Sequence, residues 1–161
     1  MSEKKRRTPF VDKLYYEFLQ DEDCARFIDR LSQNYLTSTL QRLAGAGRRV
    51  TRRASVLALG FLGDFGVNIT VGSALHDPDR GVRMLAENSL RSIWSRYGTD
   101  AQRKRLGIVN RLNGGFQFEE AIELASDLVA ESPEFAEVWN QRAVAFYSLA
   151  DYYDAIDDCQ E

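Results

Sequence analysis

The chain has 161 residues, 44% of them hydrophobic and 28% charged, enough apolar content to bury a core and too much for an intrinsically disordered polymer. Only three prolines interrupt a sequence rich in Ala, Leu, Arg and Glu, which favours helix, and no apolar run reaches the roughly 18 residues of a membrane span. The net charge of −3 hides an asymmetry: residues 1–111 hold 20 Lys/Arg against 12 Asp/Glu (net +8), whereas residues 112–161 hold Arg142 alone against 12 acids (net −11).

Met1-Ser2-Glu3-Lys4-Lys5-Arg6-Arg7 is basic, but no apolar signal core follows it, so the expectation is a soluble, cytoplasmic protein with a frayed basic tail. Cys24 and Cys159 lie far apart at no metal-ligand spacing and read as two structural thiols, with Cys159 at a packing position of a helix. His76 is the single histidine, so no His-based metal site and no Ser-His-Asp or Cys-His pair is recognisable. No enzyme, metal or cofactor is expected.

Residues 1–33 form the tail and two short helices. Phe10, Leu14, Tyr15 and Phe18 fall at helical spacing, and Asp21-Glu22-Asp23 opens a second helix with Phe27, Ile28 and Leu31 on one face. Asn34 is a cap for a third helix, with Leu36, Leu40 and Leu43 inward and Gly45 and Gly47 at its end. Two longer helices follow. Thr51, Ala54, Ser55, Ala58, Leu59 and Leu62 make one stripe; Val82, Leu85, Ala86, Ser89, Leu90 and Ile93 make another, each 31 residues after its counterpart. Gly63 and Gly98 stand near the helix ends. A shorter helix is expected from Ile69 to Leu75, and Asp77-Pro78-Asp79-Arg80 is a tight turn.

Thr51–Gly60 and Asp77–Ala86 resemble HEAT repeats of the short bacterial type, over residues 34–98 as a domain. The resemblance implies that an Asp in the turn and an Arg six residues later tie neighbouring repeats together. Asp77 and Arg83 fit that spacing, while the first copy has Ala46 and Arg52 there.

Thr99-Asp100 reads as the cap of a helix over 101–112, broken by Asn113-Gly114-Gly115. Helices over 118–130 and 136–149 follow, with a fourth from Tyr152. Phe118-Glu119-Glu120-Ala121-Ile122-Glu123 returns 34 residues later as Tyr152-Tyr153-Asp154-Ala155-Ile156-Asp157, a repeat period of helix–turn–helix units. Residues 102–161, within a domain over 99–161, therefore resemble two tetratricopeptide repeats, the first over 102–135 and the second over 136–161. Trp139, Ala143, Phe146, Tyr152 and Ala155 carry the second; Leu112, Phe118, Ala121, Leu128 and Pro133 carry the first, where Arg105 and Val109 replace the aromatic and small residues. Ala121, Ala143 and Ala155 are the expected close helix contacts, and Leu at position 143 should overpack one by about 1–3 kcal/mol. The second repeat stops before its last helix reaches the usual length, so a fragment or the front of a longer array is expected.

Some motifs only look chemical. Asp64-Phe65-Gly66 spells a kinase magnesium tripeptide, but the Gly-rich loop, strand Lys and catalytic loop that go with it are missing. Gly45-Ala46-Gly47 lacks the Gly-Lys-Ser/Thr ending of a phosphate loop. The acids of the C-terminal third have the spacing of solvated helix faces.

The expected fold is thus all-α, a right-handed α-solenoid of antiparallel helix hairpins, HEAT-like and then tetratricopeptide. The resemblance implies a non-catalytic protein–protein interaction scaffold that holds a peptide or partner protein on its concave surface, as a monomer or part of a longer array. The groove positions map onto Arg103, Asn110 and Asn113, and onto Glu137, Asn140, Val144 and Tyr147, with Asn110 placed to bond a peptide backbone. Leu106 and Gln141 depart from the carboxylate clamp of chaperone-binding members, so a C-terminal-carboxylate reader is not expected. The alternative is nucleic-acid binding through the basic front, where Arg48, Arg49, Arg52 and Arg53 could meet phosphates or an acidic partner.

Overall fold

A computed structural model describes residues 8–161; the basic segment Met1–Arg7 lies outside the described residues. The described residues form ten α-helices and no strand: α1 Phe10–Asp21, α2 Cys24–Asn34, α3 Thr37–Ala46, α4 Arg49–Leu62, α5 Asn68–Ser73, α6 Arg80–Ser95, α7 Asp100–Gly114, α8 Phe118–Glu131, α9 Ala136–Ser148 and α10 Tyr152–Asp158. Short 3-10 turns cover Phe65–Val67 and Ala74–His76. The chain divides into two compact units, one ending at Ile93 and the other running from Trp94 to Glu161.

In the first unit, α1 ends at Glu22, which takes the left-handed conformation (φ 54°) and donates its N–H to Phe18. Asp23 then caps α2 by accepting from the Arg26 N–H at 2.9 Å. Phe18 stacks on Phe27 at 4.8 Å between centroids, and Phe61 of α4 stands edge-on to both, tying α1, α2 and α4 together. The region before α3 departs from expectation. Asn34 is the last residue of α2, its amide donating to the Arg30 carbonyl, and α3 opens without a side-chain cap. Since α3 starts only at Thr37, Leu36 falls outside the inward face and is 74% exposed.

α4 packs along α3 and against α1. Its expected stripe is buried, from Thr51 to Leu59, except that Leu62 is only half-buried. On α6, Val82, Ala86, Ser89, Leu90 and Ile93 are buried, while Leu85, expected on the same stripe, is only half-buried. The Ser89 hydroxyl donates to the Val56 carbonyl at 3.1 Å beside Gly60, where any Cβ would collide with Ser89. Gly60 is thus needed for close approach.

In the second unit, Thr99 and Gln102 form a reciprocal capping box that starts α7. Gly98 before it has φ +80°, and a Cβ there would meet the Phe135 ring at 3.0 Å. The core gathers Val109, Ala121, Ala125, Leu128, Phe135 and Val138 from α7, α8, α9 and the α8–α9 connection. α7 packs on α8, α8 on α9 and α9 on α10. Ala121, Ala143 and Ala155 are buried at these contacts. Arg105 reaches Glu131 at 2.5 Å, while Trp139, 34 positions on, donates its indole N–H to the Pro133 carbonyl at 2.7 Å.

Candidate functional site

The basic cluster sits at the start of α4, where a helix N-terminus alone would disfavour cations. The turn before α6 supplies the compensation. Arg52 grips Asp77 in a two-pronged pair, Nε to Oδ2 at 2.6 Å and Nη2 to Oδ1 at 2.8 Å. Arg53 grips Asp79 in the same way, at 2.6 and 2.8 Å. Asp79 also accepts from the Val82 N–H and so caps α6. The Arg53 hydrogen bonds, aided by that N–H, hold the Asp79 carboxyl down at about 2. Arg52 likewise lowers Asp77, and each arginine is raised in turn by its carboxylate.

This refines the turn expected from sequence. Arg83 does reach the turn, but through the backbone carbonyls of Asp77 and Pro78 at 2.8 and 3.1 Å. The Asp77 carboxylate belongs to Arg52, the arginine at the matching position of the earlier helix. Of the four arginines, Arg52 and Arg53 therefore face inward acids, while Arg48 and Arg49 are exposed. Arg48 lies 3.6 Å from the buried Asp12 carboxylate.

The positions mapped onto a concave surface lie in the second unit, and the structure separates them. Arg103 donates to the Gly98 carbonyl and to Asp100, and to the Arg96 carbonyl at 3.2 Å, clamping the loop before its own helix. Asn110 is exposed. Asn113 donates its amide to the backbone and side-chain oxygens of Gln141 at 2.9 and 3.1 Å. Gln141 passes the chain on to Glu137 at 2.8 Å, and Asn140 also donates to Glu137. Asn113 and Glu137 are thus held in a polar network between α7 and α9, with Glu137 only 3% exposed. Val144 and Tyr147 stay open, 44% and 68% exposed.

Asn140, Val144 and Tyr147 come together along one wall of a groove of about 490 Å³ between α9 and α10. Tyr152, Ala155, Ile156 and Cys159 line the other wall. No lining side chain is charged. Outside the lining, a separate cluster of contacts ties α9 to α10. Arg142 takes Asp158 in a two-pronged pair at 2.8 and 2.7 Å, reaches the Ser126 hydroxyl at 3.0 Å, and lies over the Trp139 ring at 5.0 Å.

Cys159 corrects an expectation. It does not pack in a core: it follows the last residue of α10, on the groove side, and is exposed. Cys24 is exposed as well, near the start of α2. The repeat positions do not point to the α10 wall, although Tyr152 and Ile156 stand at i, i+4 in the sequence. Tyr152, expected as a packing position of the second repeat, and Ile156, part of the 34-residue echo, are each 53% exposed.

Among the described residues, no group of three His, Cys, Asp or Glu side chains is arranged to hold a metal ion, and no helix is long and apolar enough to cross a membrane. Compared with protein-family models, with curated proteins and with solved structures, the chain matches none.

Proposed function

We propose that the protein is a non-catalytic interaction scaffold that binds a segment of a partner protein on its second unit. The observation that carries this reading is the open apolar groove between α9 and α10, with Val144, Tyr147, Tyr152 and Ile156 exposed together. Contiguous exposed apolar surface of this kind is costly in water unless a partner covers it. The 31- and 34-residue echoes support reading the helices as antiparallel hairpins of a right-handed solenoid, HEAT-like and then tetratricopeptide, acting in the cytoplasm. Nucleic-acid binding through the basic front has less support, because Arg52 and Arg53 are engaged with Asp77 and Asp79.

The test uses the full chain as bait. A captured protein is purified and its affinity measured for the native chain and for Tyr147→Ala, Asn140→Ala and Asn110→Ala. Tyr147→Ala is expected to weaken binding about tenfold, as loss of a central aromatic anchor does. If all three variants bind as well as the native chain, the second-unit surface is not the site. If no purified protein binds saturably, the scaffold reading fails altogether.

A further inference from the structure

Resting on that reading, we infer that the occupant of the α9–α10 groove is a basic amphipathic helix of a partner protein. Three features of the groove select it.

The first is hydrogen bonding. The longer wall lies within α9, whose main-chain groups are paired along the helix and into the turn that follows it, and the lining side chains are mostly apolar: Val144, Tyr147, Tyr152, Ala155 and Ile156. An extended peptide laid there would bury its N–H and C=O groups without partners. A helix satisfies its own main chain and offers only side chains to the floor.

The second is length. The α9 wall runs from Asn140 to Ser148, two helical turns or about 12 Å at 1.5 Å per residue. That span matches three anchors at i, i+3 or i+4, and i+7 of an entering helix.

The third is charge. Beyond residue 111 the only cation is Arg142, and Asp158 already holds it. Asp151, Asp154 and Asp157 stand exposed on and beside α10, Asp154 and Asp157 on the side of the helix away from the groove, so the helix that forms one wall is acidic while the lining itself is neutral. Lys and Arg on the flanks of the entering helix would meet that field, steering association and opposing acidic competitors. The same field opposes a two-fold pairing of α10 with α10 of a second copy.

Cys159 provides the readout, because it lies in the groove while Cys24 lies in the other unit. The probe is a synthetic, fluorescently labelled peptide of about 18 residues, with Leu at i, i+3, i+4 and i+7 and Lys or Arg elsewhere. Two controls separate the two features: one carries two central prolines and keeps the charge, the other carries Glu in place of Lys and Arg and keeps the Leu spacing. The full chain is used throughout. The basic helix is expected to bind saturably, more weakly as salt rises, and to slow alkylation of Cys159 at least about fivefold with Cys24 unaffected. Val144→Arg and Ile156→Ser change exposed side chains and are checked for native melting. Each should weaken binding about tenfold, while Asn110→Ala should not.

Equal binding of the proline peptide would overturn the helix in favour of an extended occupant. Equal binding of the Glu peptide would overturn the basic character. Unchanged Cys159 reactivity at saturation would place the peptide elsewhere. Concentration-dependent dimers of the native chain that protect Cys159, and that Ile156→Ser dissociates, would assign the groove to a second copy. A captured partner that needs Tyr147 but competes with none of these peptides would sink this inference and leave the scaffold reading standing.

Discussion

Arg142 joins three helices through one guanidinium: α9 carries it, α10 supplies Asp158 and α8 supplies Ser126. Asp158 is 6% exposed, so removing its partner leaves a carboxylate with little water to replace the lost bonds. Arg142→Ala is expected to destabilise the second unit by about 3 kcal/mol, read from urea unfolding by tryptophan fluorescence, since Trp139 lies beside the guanidinium. A midpoint unchanged from the native chain would show the pair to be ornamental. Asp79 makes a different kind of prediction. Its folded pKa of about 2 lies below the usual value of an aspartate. A depressed carboxyl stabilises the fold fully above its unfolded pKa and loses that contribution as pH falls through the folded one. The first unit should therefore lose stability as the pH drops from about 4 to 2, and Asp79→Asn should flatten that slope while keeping a side-chain oxygen to cap α6. Thermal melts by circular dichroism at stepped pH would check it; an unchanged slope in the variant would move the acid sensitivity to other carboxylates.

At the scale of elements, small residues decide how closely helices approach. Gly60 faces Ser89 with no room for a methyl group. Gly60→Ala should cost about 1–3 kcal/mol by pushing α6 from α4, visible as a lower midpoint in denaturant. Ala143 and Ala121 separate for a related reason. The sequence treats them as equivalent contacts, but Ala143 borders the open groove, whereas Ala121 is fully buried. Leu at 121 should therefore be the costlier substitution of the two, and equal melting temperatures for Ala121→Leu and Ala143→Leu would contradict this. Helix positions were largely legible because local signals agreed: Asp23 and Thr99 cap, and the stripes on α4 and α6 bury. The start of α3 was not, because Asn34 had two local partners and bonded backward to Arg30 instead of forward.

For the molecule as a whole, two compact cores and the placement of its tryptophans allow the units to be followed separately. Trp139 belongs to the second unit, whereas Trp94 lies on the last turn of α6 where the first unit ends, so in a Trp94→Phe background tryptophan fluorescence reports the second unit and far-ultraviolet dichroism reports both. Breaking Arg52–Asp77 with Asp77→Asn should shift the dichroism transition and leave the fluorescence midpoint in place; a fluorescence shift of equal size would mean that the units unfold as one. The amino-acid sequence by itself determined the helical class, most helix positions, the two echoes and the reversal of charge, because spacing, caps and composition act over one or two turns. Tertiary structure decided which arginines are engaged, which of the mapped groove positions are tied up, and where the open surface lies. Arg52 meets Asp77 across 25 positions, Asn113 meets Gln141 across 28, and the groove needs α9 and α10 side by side. Such partners are set by how helices pack in space, and a local pattern carries no record of which face will remain uncovered.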